Sequence, residues 1–154
     1  MLKTLRDKPD LKDKHGIVRV DFNVQLDEQR NVKNDKRIRH ALPTLQHLLS
    51  AGVKQIILMT HVGRPKNNEP NLKTDKIAAH FSKLIGQPVI KVDGWSGVPA
   101  AKIVLLENLR FHSGEKSKDE TERDAFGKEL AALAHFYVNE AFSNSHRKHA
   151  SMTS

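Results

Sequence analysis

The chain has 154 residues, 38% apolar and 29% charged, with 26 lysines and arginines against 18 acidic residues for a net charge of +8. That length suits one domain with a hydrophobic core and is too short for two full α/β domains, while the apolar content excludes a disordered chain. Cysteine is absent, which excludes disulfides, thiol nucleophiles and thiolate metal sites. No apolar run nears the ~20 residues of a membrane helix, and residues 1–6 lead into charge rather than into the apolar core of a secretory signal, so a cytoplasmic location is expected.

In chain order, residues 16–24 read as a first strand, rich in β-branched side chains and ending in polar ones. Ile38, Ala41, Leu42, Leu45, Leu48 and Leu49 recur at helical spacing. Gly52 is placed to end that helix, and Pro43 marks either a kink or a helix that begins there. Residues 53–60 contain Ile56-Ile57-Leu58-Met59, a buried second strand. Thr74 is positioned to cap a helix bearing Ile77, Ala78, Phe81, Leu84 and Ile85, closed by Gly86. Residues 88–92 give a short third strand and residues 102–108 a nearly continuous apolar fourth. Residues 119–134 read as a helix with a charged first turn, and 135–142 as a fifth strand. Strands separated mainly by helices predict an open, doubly wound, mostly parallel sheet of Rossmann-like α/β type. Residues 149–154 follow neither period. A last strand of this class is normally covered by a further helix, so the domain, spanning 1–154, is expected to be incomplete at its C-terminal end.

Ligands of open α/β sheets bind beyond the carboxyl ends of the strands, and polar residues gather there. Asp21 and Asn23 close the first strand; His61, Gly63 and Arg64 follow the second. Glu107, Asn108 and Arg110 follow the fourth; Asn139, Glu140, His146 and Arg147 follow the fifth, and Arg37 can reach the same rim. Four arginines converging there suit a small polyanion, because a guanidinium fork grips phosphate or carboxylate oxygens in pairs. Each alone reads more readily as a solvated side chain; their recurrence at successive strand ends is the signal. His61 and His146 read either as phosphate donors or as structural histidines.

Other chemistries match poorly. There is no Walker A sequence, no G-x-G-x-x-G and no G-x-S-x-G elbow. His146 and His149 beside Glu140 lack the spacing of a zinc motif. Asp21 and Glu107 read as an acid–base pair or, preferably, as carboxylates that orient arginines. Few aromatics and no helix-turn-helix argue against nucleic acid.

Five segments in order resemble one family. Arg19-Val20-Asp21-Phe22-Asn23-Val24 is followed by Arg37-Ile38-Arg39 with Ala41-Leu42-Pro43-Thr44, and then by His61-Val62-Gly63-Arg64-Pro65-Lys66. Leu106-Glu107-Asn108-Leu109-Arg110-Phe111-His112 comes next, then Tyr137-Val138-Asn139-Glu140-Ala141-Phe142, ending in His146-Arg147. Together they are similar to the N-terminal motifs of phosphoglycerate kinases, from about residue 11 to 150. The resemblance implies a two-domain, monomeric enzyme. Its N-terminal domain holds 3-phosphoglycerate or 1,3-bisphosphoglycerate, and its C-terminal domain, expected outside this chain, holds Mg-ATP or Mg-ADP. It further implies that Asp21, Asn23 and Arg37 contact the end of the glycerate where transfer occurs, with Arg37 stabilising the migrating phosphoryl group. His61, Arg64, Arg110 and Arg147 would hold the other phosphate.

Several positions depart from the family pattern. Gln25 replaces a usual proline and Glu140 a usual aspartate. Ser143-Asn144-Ser145 replace Gly-Thr-Ala, and Lys148 replaces an alanine. The changes at 140–145 leave a second expectation, a diverged phosphometabolite-binding relative without catalysis. A basic nucleic-acid-binding module is the third.

Overall fold

The computed structural model describes residues 10–24, 26–29, 31–66 and 69–140. Five strands, β1 (His15–Arg19), β2 (Gln55–Met59), β3 (Ile90–Lys91), β4 (Ile103–Leu105) and β5 (Phe136–Asn139), form one sheet in the order β3-β4-β2-β1-β5. Every pairing is parallel, with Ile17 opposite Ile57 and Tyr137, and Ile57 opposite Val104. A parallel pair needs a crossover between its strands. Helices supply most of these, α1 (Lys36–His40) with α2 (Leu42–Ser50), α3 (Asp75–Ile85) and α4 (Glu120–Ala131), while β3 and β4 are joined by residues 92–102 without one.

Side chains alternate across the sheet with a period of two. Val18, Ile56, Leu58, Ile103 and Leu105 pack with Leu45 and Leu48 of α2 and Ile77 and Phe81 of α3. Ile17, Ile57, Met59, Val104 and Leu106 face the opposite side, against Phe126 and Leu130 of α4. Both faces are covered, so the central strand β2 is buried at every position and, after Gln55, reads as an unbroken apolar run. The sheet is open, all-parallel and doubly wound, as the alternation of elements predicts.

The elements are shorter than their sequence patterns. β1 stops at Arg19, not at residue 24. Beyond it Val20 still donates to Met59 O, but Phe22 N donates to the Thr60 hydroxyl and Val24 N to Phe22 O. Asp21 and Asn23 therefore stand on a loop past the strand rather than closing it. The pattern over 38–49 divides into two helices, and Pro43 lies in the first turn of α2, where its missing N–H leaves nothing unsatisfied. Thr74 precedes α3 but its side chain does not cap it; the hydroxyl donates to Leu106 O at 3.0 Å, tying the start of α3 to the end of β4. Gly86 does close α3, with φ at +76°. Asp119 caps α4 by accepting from Thr121 N at 2.9 Å. The last two residues of the predicted fifth strand, and residues 149–154, lie outside the described residues.

Candidate functional site

Neighbouring strands β2 and β4 send the chain to opposite faces, the first into α3 and the second into α4. Their following loops must separate, and a crevice opens between them at the carboxyl end of the sheet, where ligands of this architecture bind.

Asn108 holds the walls of that crevice in register. Its amide oxygen accepts from Val62 N and Arg110 N, each at 3.1 Å. Its amide nitrogen donates to Val62 O at 2.8 Å and Leu72 O at 2.9 Å. All four hydrogen-bonding positions of a buried amide are satisfied, so the side chain has one stable orientation. The Arg110 guanidinium then crosses the crevice and donates to Gly63 O at 2.7 Å. Gly63 has φ of +61°, and a Cβ there would sit 2.8 Å from a Leu72 methyl, so the turn requires glycine.

The next layer comes from the loop after β1. The Asn23 side-chain oxygen accepts from Gly63 N at 2.9 Å. The Asn23 backbone carbonyl accepts from Arg37 Nη1 at 3.1 Å, and Asp21 Oδ1 lies 3.4 Å from the same nitrogen. Arg37 on α1 is 57% exposed. Among the described residues only its Nη1 is engaged, so one edge of the fork is anchored. The side chain lines a cleft of about 560 Å³ with Asn23, Lys33, Val62, Gly63 and Leu72. The Asp21 carboxylate offsets part of the guanidinium charge, and the rest of the exposed fork stays presented to the cleft, which suits recognition of an anion.

Asp21, Asn23, Arg37 and Arg110 thus join one hydrogen-bonded rim. Arg64 follows Gly63 on that rim and is exposed, with no side-chain hydrogen bond among the described residues. His61 is placed differently from an open rim donor. It is 3% exposed, and its Nδ1 lies 2.8 Å from Nη2 of Arg19. Arg19 itself is fully buried and donates through Nη1 to Val20 O at 2.8 Å. Burial pulls its guanidinium below the ordinary arginine range, and the negative potential of Glu115, then of Asp21, opposes that pull. Arg147 and His146 lie outside the described residues, as does His149 of the metal grouping.

Glu107 orients no arginine in this hydrogen-bond network. Its Oε2 pairs with Lys91 Nζ at 2.5 Å, and its Oε1 accepts from Asn108 N at 2.8 Å and Thr74 N at 3.2 Å. Lys91 also reaches Asp93 and Asp75. Burial alone would pull Lys91 down, but the hydrogen bonds it donates to Asp93, Glu107 and Asp75 outweigh it and hold the ammonium above its usual range. Glu107 is therefore a structural carboxylate that supports Asn108. The longer Glu140 accepts from the Thr44 hydroxyl of α2, while its N–H donates to Arg19 O at 2.7 Å. Sequence reasoning missed the holding role of Asn108 and the burial of Arg19. The available signal for the first was an asparagine directly after an apolar strand, the residue type that can accept from and donate to loop backbone at once. Among the described residues, no group of three or more potential ligands is placed to hold a metal ion, and no helix is long and apolar enough to cross a membrane.

Fold and site define an open parallel α/β domain with arginine-bearing loops around a cleft at its strand ends. A family model of phosphoglycerate kinase matches residues 5–154. The chain is 46% identical over 151 residues to the phosphoglycerate kinase of Nostoc sp., covering 92% of this chain and 36% of the relative. It is 47% identical over 159 residues to that of Aquifex aeolicus, covering 97% and 38%. The solved phosphoglycerate kinase of Coxiella burnetii superposes with a TM-score of 0.79 at 29% identity over 92% of this chain and 36% of that one. The enzyme of Pyrococcus horikoshii gives 0.79 at 28% identity, over 92% and 37%. The chain belongs to the phosphoglycerate kinase family and spans somewhat over a third of the length of the curated relatives it matches.

Proposed function

We propose that this chain supplies the 3-phosphoglycerate site of an enzyme that passes a phosphoryl group between 1,3-bisphosphoglycerate and ADP, giving 3-phosphoglycerate and ATP. The observation that carries the reading is the linked rim: Arg37 anchored at one nitrogen by Asn23 and Asp21, Asn23 bonded to Gly63, and Gly63 bonded to Arg110. In this reading Asp21 and Asn23 orient the glycerate, and Arg37 neutralises charge on the migrating group. His61, Arg64, Arg110 and Arg147 hold the phosphate that does not move. Phosphoryl transfer rests on positioning and charge stabilisation, which is what a preformed guanidinium rim provides. Mg-ADP or Mg-ATP is assigned to the C-terminal nucleotide domain, which docks on this one in a cytoplasmic, monomeric enzyme. The 154-residue chain alone binds the phosphoglycerate without turning it over.

The test is titration of the chain with 3-phosphoglycerate, followed by calorimetry and by amide shifts. Saturable binding is expected, with shifts at residues 21–24, 37, 61–64 and 108–110. Arg110→Met should weaken it roughly 10- to 150-fold, the loss of one charge-assisted hydrogen bond. Binding indifferent to Arg37, Arg64 and Arg110, or shifts mapping away from the strand ends, would sink the proposal. So would salt-dependent affinity for random DNA with none for 3-phosphoglycerate.

A further inference from the structure

We infer that Arg19 is a positioning residue that fixes His61 as the neutral tautomer protonated on Nε2, so that Nε2 acts only as a donor. The inference follows from donor chemistry. A guanidinium has N–H groups and no acceptor, so the 2.8 Å contact between Arg19 Nη2 and His61 Nδ1 requires a lone pair on Nδ1. An Nδ1 that accepts carries no proton, and the single proton of the neutral ring must then sit on Nε2. The other tautomer would aim N–H at N–H across 2.8 Å. The imidazolium would do the same and add a second cation beside a buried one.

Arg19 cannot turn aside to relieve such a clash. Its second nitrogen is committed to Val20 O, and the side chain is enclosed at the end of β1. Glu115, also fully buried, supplies the main opposing charge, with Asp21 behind it. Arg19 on β1, His61 after β2 and Glu115 after β4 thereby join three of the segments whose loops form the rim. A purely structural arginine would need the counter-charge and the carbonyl, but not the imidazole lone pair.

The functional meaning rests on the reading of the rim as a 3-phosphoglycerate site. A histidine free of such a partner exchanges between two tautomers and takes a proton near pH ~6.5. Fixing the donor form in advance removes that exchange before the anion arrives.

The experiment is long-range proton–nitrogen correlation on the 15N-labelled 154-residue chain, with the His61 signals assigned by their loss in His61→Gln. Without ligand, Nδ1 should resonate as a bare nitrogen and Nε2 as a protonated one, unchanged through the pH range around ~6.5 in which free histidine titrates. A proton on Nδ1 anywhere in that range, in the other tautomer or in the imidazolium, overturns the assignment, and this needs no variant to fold. Arg19→Met should release the ring into exchange and weaken 3-phosphoglycerate binding roughly 3- to 10-fold. Arg19→Lys, which keeps one charged donor, should restore most of the wild-type ring spectrum. An unchanged His61 spectrum in folded Arg19→Met also overturns it. If the ring spectrum is as expected and 3-phosphoglycerate does not bind the wild-type chain, the substrate reading fails and the assignment to Arg19 stands.

Discussion

Replacing Lys91 with methionine tests how the rim is supported from below. Lys91 and Glu107 side chains are 10% and 8% exposed, and their contact is 2.5 Å. Removing one partner of a buried pair leaves the other charge unpaired, at a cost of about 3–5 kcal/mol. The lower end applies, because Glu107 Oε1 keeps its N–H donors from Asn108 and Thr74. Asp75 and Asp93 are 60% and 88% exposed and return to water, adding little. About 3 kcal/mol in a domain of this size lowers Tm by roughly 6–12 °C. Thermal and urea unfolding followed by circular dichroism would measure it. Glu107→Gln in the Lys91→Met background removes the stranded charge while an amide oxygen still accepts from the same backbone groups, and it should recover about 1 kcal/mol or more. Because Glu107 holds Asn108 N, and Asn108 holds Arg110 and Val62, affinity for 3-phosphoglycerate should fall with Lys91→Met as well. The folded lysine is held above its ordinary value, so its contribution is complete below pH ~10.4 and erodes as pH rises from there toward the folded value. A Tm within about 2 °C of wild type, or a double variant whose losses simply add, would refute the reasoning.

Other perturbations read different parts of the structure. Gly63→Ala places a Cβ 2.8 Å from Leu72 at a φ of +61° and should cost about 1–2 kcal/mol in urea unfolding, with a parallel loss of 3-phosphoglycerate affinity since Gly63 joins Asn23 to Arg110. Arg64→Lys should weaken the same affinity several-fold with no change in Tm, because a point charge cannot reproduce the planar fork and the side chain is exposed; equal affinity would remove Arg64 from the site. His112 stacks on Phe126 at 3.7 Å and meets the edge of Trp95. Burial pulls its pKa below the ordinary value against the weaker pull of Glu129. The unfolded chain therefore takes up its proton first, and the stability tied to neutral His112 is present above pH ~6.5 and lost as pH falls through the folded value. His112→Phe should flatten that acid-side loss of Tm, while lowering stability at neutral pH by the lost hydrogen bond from Gly114 N.

Much of this protein was legible in the residues. The run Ile56–Met59 read as a buried strand, and residues 119–134 as a helix with a charged first turn, and both elements form there. Gly86 marked a helix end, and arginines recurring after successive apolar runs marked an anion rim. These are local signals: hydrophobic period, backbone permissiveness and side-chain charge act within a few residues of where they are written. Tertiary structure decided what each polar group meets. Two strand-end carboxylates looked interchangeable, yet Asp21 lies against Arg37 while Glu107 turns to Lys91, a residue from the edge strand β3. Arg19 and Arg37 carry the same charge, yet one is buried against a histidine and the other half-exposed over a cleft. The difference arises because a hydrogen bond depends on distances across the sheet, set by strand order and register, and neither is written in the neighbours of the residue that makes it.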